Sequence, residues 1–142
     1  MQKAFPDGKL GREISTWYLS HGRHDLPWRK NISAYRVWIS EIMLQQTQVI
    51  TVIPFFKRFM RNFPTMKSFL TASEEEILAL WSGLGYYRRA RNIFQAKEII
   101  KNSHKGKFPR NFDELLSLPG IGRSTAGAIA SIAYNLPFPI LD

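Results

Sequence analysis

Two glycines one residue apart, Gly120 and Gly122, sit in the run Leu118-Pro119-Gly120-Ile121-Gly122-Arg123-Ser124-Thr125-Ala126-Gly127. This spacing constrains the fold more than any other feature of the chain. Glycine supplies backbone conformations that a tight turn needs, and proline interrupts a helix. The small residues beyond Arg123 suit a helix, so the run reads as a hairpin that opens one. The rest of the chain agrees with such a fold. Leu10, Ile14, Trp17 and Tyr18 form one apolar face over residues 9–21, and Gly22 ends that helix. Residues 23–33 read as a loop around Leu26-Pro27-Trp28-Arg29. Helices are expected over 34–46 and over 48–63, with Pro54 kinking the second or sitting in its first turn. Ser73-Glu74-Glu75-Glu76 and Asn111-Phe112-Asp113-Glu114 read as capping boxes that open helices to about Trp81 and Ser117. A turn at Gly83-Leu84-Gly85 precedes a basic helix over 86–103, with Ile93, Ala96, Ile99 and Ile100 on its buried side. A small-residue helix over roughly 123–134 closes the pattern. No alternating strand pattern, internal repeat or low-complexity tract interrupts it. The expectation is an all-α fold.

Composition narrows the partners. The 142 residues carry 20 Lys and Arg against 11 Asp and Glu, a net charge of +9. Residues 81–110 hold eight of the basic residues against Glu98 alone and so supply +7 of that excess. Such an excess favours polyanions, although a charge run also serves as a solvated helix face. There is no cysteine, which rules out disulfides and thiolate metal sites within these residues. The N-terminus lacks the apolar core of a signal peptide. The longest apolar stretch, 126–141, is broken by Asn135, Pro137 and Pro139 and is too short to span a membrane. A soluble intracellular protein is expected, cytoplasmic and monomeric.

Three motifs carry candidate chemistry. A helix start presents unpaired N–H groups and a positive dipole end, so the hairpin suits an anion, and the net charge points to a nucleic-acid phosphate. Helix, Leu-Pro-Gly-Ile-Gly, helix is the pattern of sequence-independent DNA binders, whose contacts position without reading bases. Gly120, Gly122, Arg123 and Thr125 are its candidate DNA contacts, and hairpin carbonyls offer a site for a monovalent cation. Second, Glu41 is the only acid in residues 26–73 and lies among Ile42, Met43 and Leu44. A carboxyl buried there would have a raised pKa and suit a general acid; one facing solvent or an arginine would not. Gln45 and Gln46 at the end of that helix carry groups that can probe base edges or serve as surface amides. Third, Tyr86-Tyr87-Arg88-Arg89 pairs aromatics that can wedge between bases with arginines that meet phosphate. The plainer arrangement has one tyrosine in the core and the other on the surface.

Taken together and in order, these motifs resemble the N-terminal part of adenine DNA glycosylases of the MutY type, in the helix-hairpin-helix (endonuclease III) superfamily. Leu26–Arg29, the run from Ser40 to Thr47, Thr51-Val52-Ile53-Pro54, residues 83–92, the hairpin and Phe138–Asp142 carry the likeness, from about residue 13 onward. The resemblance implies a six-helix barrel truncated at its C-terminal side. Residues 1–33 would form an N-terminal helix and loop that in the family packs on the iron–sulfur domain. Residues 34–142 would form the barrel domain, with the helix-hairpin-helix at 111–134. It also implies removal of adenine mispaired with 8-oxoguanine or guanine in double-stranded DNA, after flipping the base from the duplex. Glu41 matches the acid that protonates adenine N7, and Asp142 the carboxylate that stabilises the sugar oxocarbenium ion. Gln46 and Tyr86 match residues that insert around the lesion pair, with Arg88 beside them. Trp28, Arg29 and Leu44 match the base pocket. Bifunctional relatives carry lysine where this chain has Ser124, and serine cannot form their Schiff base, which implies a monofunctional enzyme.

The family's [4Fe–4S] cluster is held by cysteines beyond the catalytic aspartate, and its lesion-recognition domain is C-terminal; both lie outside these residues. Asp142 here carries the terminal α-carboxylate, so residues 1–142 alone are expected to be nearly inactive. Two other readings are an endonuclease III-like pyrimidine glycosylase, against which Ser124 speaks, and a non-catalytic helix-hairpin-helix DNA-binding module.

Overall fold

The computed structural model describes residues 26–136. The chain divides into two compact units, Met1–Lys30 and Asn31–Asp142. The helix expected over 9–21 lies outside the described residues. In the first unit, Pro27–Arg29 forms a single 3-10 turn, with proline at its start, where no N–H is required.

The second unit is helical, with no strand among its described residues. Helix α1 (Ala34–Leu44) opens at Ser33, whose hydroxyl accepts from the Arg36 N–H. It buries most of its length, including Trp38, Ile39 and Met43. Helix α2 (Val49–Asn62) turns Val52, Phe56, Phe59 and Met60 inward. Pro54 is its sixth residue, past the first turn where proline is free of cost, and the helix continues through it. A four-residue helix, α3 (Met66–Phe69), was not evident from the sequence. Its box pairs Thr65 with Ser68 instead of the usual glutamate, and both halves form. Its Phe69 ring is fully buried, with ring centroids of Tyr35 at 5.4 Å, Trp38 at 5.9 Å, Phe59 at 5.5 Å and Phe63 at 5.6 Å. A short capped turn thus delivers one aromatic side chain to the centre of an aromatic cluster, where such pairs add to area burial.

Helix α4 (Glu74–Trp81) forms as the sequence predicts. Ser73 and Glu76 exchange both capping bonds, at 3.1 and 2.9 Å, and three glutamates occupy its positive end. Helix α5 (Arg88–Ser103) buries Ala90, Ile93, Ala96 and Ile100, while Ile99 is only half-buried. Two of its basic residues, Arg89 and Lys97, are buried as well, so the charge run is not simply a solvated face. Helix α6 (Phe112–Leu116) has only half the expected box: Asn111 accepts from the Glu114 N–H at 3.1 Å without a return bond. Helix α7 (Arg123–Ala128) passes into a wider π turn, Ile129–Ala133, where one regular helix was expected. Helix α1 packs against α2, α5, α7 and the π turn, and α2 also meets α4, which packs on α5. The fold is therefore built around the helix that carries Glu41.

Candidate functional site

The hairpin forms between α6 and α7. Gly120 has φ +81°, a left-handed conformation suited to glycine, and the Ile121 N–H closes the turn on the Leu118 carbonyl at 3.1 Å. A Cβ at Gly120 would stand 2.9 Å from the Asn92 Cβ, so the hairpin is seated directly on α5. Gly122 provides the N-cap without a side-chain hydrogen bond, which leaves first-turn amides of α7 to be met from outside the side-chain set. Arg123 and Ser124 are exposed, and the Arg123 guanidinium lies 5.4 Å from the Phe112 ring centroid. Thr125 is buried as a whole residue, unlike Arg123 and Ser124. Asn92 lies one turn beyond Arg88 on α5. The hairpin and the exposed Arg88 therefore adjoin the same end of that helix.

Glu41 is half-buried on α1, whereas Ile42 and Met43 point into the core and Leu44 is half-buried. Its sequence neighbours are therefore not its enclosure: successive helical side chains point about 100° apart. Helix α1 ends at Gln45, and Gln46 beyond it is exposed with φ +58°. In the turn before α5, Tyr86 is 59% exposed with φ +50°. Left-handed backbone costs a non-glycine residue roughly 1–2 kcal/mol and persists where surroundings impose it. Gly83 and Gly85, at φ +95° and +88°, take the other left-handed positions of this turn. The two tyrosines differ. The Tyr87 hydroxyl accepts from the Gly83 N–H at 3.1 Å and so folds back on the turn, while Tyr86 extends outward. The Trp81 indole donates to the Gly85 carbonyl at 3.1 Å, fixing the turn from below.

Arg89 joins these two places. Its Nη1 donates to the carbonyls of Ile42 at 2.7 Å, Met43 at 2.9 Å and Gln45 at 2.6 Å. Its Nη2 reaches Thr47 Oγ1 at 3.3 Å and the Gly85 carbonyl at 3.2 Å, and Nε meets the Tyr86 carbonyl at 3.4 Å. The guanidinium thus caps the negative end of α1, whose last carbonyls have no helical partner. Rings of Trp81 and Tyr86 lie 5.5 and 5.4 Å from its central carbon. Burial pulls its pKa below the ordinary value. The sequence marks Arg88 and Tyr86 as candidates but gives Arg89 no separate role. Four of its six acceptors lie more than 40 residues away in the chain, and no local pattern announces them.

Trp28 and Arg29 stand half-buried in the first unit, on the 3-10 turn. Asp142 and the Phe138–Asp142 motif lie outside the described residues. An iron–sulfur cluster requires thiolate ligands, and a chain without cysteine cannot supply them. No three of His, Asp and Glu converge as a metal site among the described residues. No described helix is long and apolar enough to cross a membrane.

Comparison with known proteins bears on the same region. Residues 39–142 match the family model described as HhH-GPD superfamily base excision DNA repair protein. The chain is 55% identical over 129 residues to an adenine DNA glycosylase of Buchnera aphidicola subsp. Acyrthosiphon pisum (strain APS), covering 91% of this chain and 37% of that protein. It is 43% identical over 138 residues to the adenine DNA glycosylase of Homo sapiens, covering 91% of this chain and 25% of that one. The chain thus spans well under half the length of these curated relatives. Among solved structures it resembles a thermostable thymine-DNA glycosylase, with TM-score 0.73 and 26% identity, over 91% of this chain and 61% of that one. A non-covalent endonuclease III–DNA complex shares the fold at TM-score 0.67 and 24% identity, over 92% and 62% of the two chains. The chain belongs to the HhH-GPD superfamily of base excision DNA repair proteins.

Proposed function

We propose that this chain is the N-terminal catalytic portion of a monofunctional adenine DNA glycosylase that acts on adenine mispaired with 8-oxoguanine or guanine in double-stranded DNA. The observation that carries the reading is the pair Gln46 and Tyr86. Both are exposed, both are held left-handed, and their turns are tied together beside the end of the helix bearing Glu41. An exposed aromatic and an amide on stiff adjoining turns suit insertion into a base stack, which extrudes the target nucleotide. The likeness to proteins named adenine DNA glycosylase supports adenine as the base.

In this reading Glu41 donates a proton to adenine N7, and the C1′–N9 bond breaks with its electron pair leaving on the base. The Asp142 carboxylate stabilises the cationic sugar, water adds at C1′, and the water's proton returns to a carboxylate. Leu44, at the end of the helix that bears Glu41, faces the flipped base. Arg88, Arg123 and the hairpin amides of Gly120 and Gly122 hold backbone phosphates, which positions the duplex without reading sequence. Ser124 has no amine to attack the sugar, so the strand stays intact. Any iron–sulfur cluster of the complete protein would be held by residues beyond this chain. The decisive assay uses a duplex with one A:8-oxoguanine pair and the protein at its full natural length. Expected are adenine release, strand breakage only after alkali, and no borohydride-trapped adduct. A lysine adduct, or DNA binding without base release, would overturn the proposal.

A further inference from the structure

Arg89 is a buried cation without a role in the chemistry above. It touches both turns of the proposed wedge and is 7% exposed. Its hydrogen-bond acceptors are five main-chain carbonyls and one hydroxyl, with no carboxylate among them. A surface arginine meeting DNA phosphate would be arranged otherwise. The acceptors bracket the two left-handed residues: Gln45 and Thr47 flank Gln46, while Gly85 precedes Tyr86 and Tyr86 offers its own carbonyl. Strained conformations persist where the surroundings over-determine them, and one planar guanidinium does this for both turns at once.

We infer that Arg89 is the positioning residue of the wedge: it locks Gln46 and Tyr86 into one rigid unit, so extrusion of the adenine depends on a side chain that does not touch DNA. This inference rests on the proposed glycosylase reading. Lysine keeps the charge but presents its donors from a single nitrogen, without the fork that spans both turns. Arg89→Lys should therefore leave a folded protein in which the turns move independently.

The test compares the natural protein with Arg89→Lys at full length, with folding followed by circular dichroism. Extrusion is read as fluorescence of 2-aminopurine placed at the target adenine. Excision is measured under single turnover on two duplexes, one with a stacked A:8-oxoguanine pair and one with the adenine already unstacked opposite a bulge. Displacement of a positioned group by about 1 Å costs on the order of 100-fold, so that loss is expected on the stacked duplex, with near-natural excision of the unstacked adenine. Amide exchange should rise together at 45–47 and 85–87 and stay unchanged at 118–122. Equal losses on both duplexes would mark a general structural role and overturn the inference, as would undiminished fluorescence in the variant. If the natural protein itself neither extrudes nor excises adenine, the glycosylase reading falls, and the inference falls with it.

Discussion

Two regions of this protein solve the same backbone problem differently. The hairpin reaches left-handed space with a glycine, Gly120, and closes on its own Leu118 carbonyl. Gln46 and Tyr86 reach it with full side chains and depend on an arginine supplied by another element. The difference follows from what each turn is suited to offer. A phosphate is met by main-chain N–H groups, for which the absence of a Cβ is useful. A wedge in a base stack needs a side chain, so glycine cannot serve there and the strain must be held from outside. The hairpin turn is therefore self-sufficient, and the turns of the proposed wedge are not.

Removing the outside support should have the largest effect. Arg89→Met keeps much of the volume but strands several buried carbonyls, each costing about 1–3 kcal/mol when unsatisfied. A loss of at least about 3 kcal/mol is expected in chemical denaturation, well beyond that of Arg89→Lys. A change below 1 kcal/mol would mean that water replaces the guanidinium and that the two turns are less dependent than argued. Next comes the hairpin's own glycine. Gly120→Ala imposes a left-handed alanine and presses its Cβ on Asn92, a cost of about 2 kcal/mol. Asn92→Gly should return part of that loss, and additivity of the two changes would show the contact to be unimportant.

A smaller and opposite effect is expected at Gln46. Gln46→Gly relieves the strain and should raise stability by about 0.5 kcal/mol, net of the glycine's added unfolded-state entropy. It should nevertheless abolish most extrusion of 2-aminopurine. Stability that falls, with extrusion kept, would remove Gln46 from the wedge. The smallest effect is expected at the hairpin's exposed edge. Ser124→Ala should move the melting free energy by less than about 0.5 kcal/mol, as for surface positions generally. A larger loss would show that the serine caps α7, where no side-chain capping bond is found.

Much of the fold is legible because its signals are local. The Ser73 box needs only residues three apart, and Gly83, Gly85 and Gly120 mark turns that the backbone then takes. The short α3 escapes because a Thr65–Ser68 box looks like ordinary loop polarity, although Phe69 makes it central to the aromatic cluster. The Asn111 box is misjudged in the other direction, since a side chain able to reciprocate does not do so. Glu41 stands out as a lone acid in an apolar helix, but adjacency in sequence does not amount to enclosure, and its neighbours face away into the core. Arg89 is hardest to foresee. Among eight basic residues in one segment it has no distinguishing pattern, and only folding brings its carbonyl acceptors to it.

The sequence by itself determined the helical class, the hairpin, the basic balance and the residue types available for base removal. All of these follow from spacing and composition within a few turns of chain. Tertiary structure decided which charges are buried, which tyrosine faces outward, and which cation joins the turns of Gln46 and Tyr86. The last of these turns on hydrogen bonds between segments more than 40 residues apart, and such bonds form once packing has excluded water from a guanidinium and the carbonyls it joins.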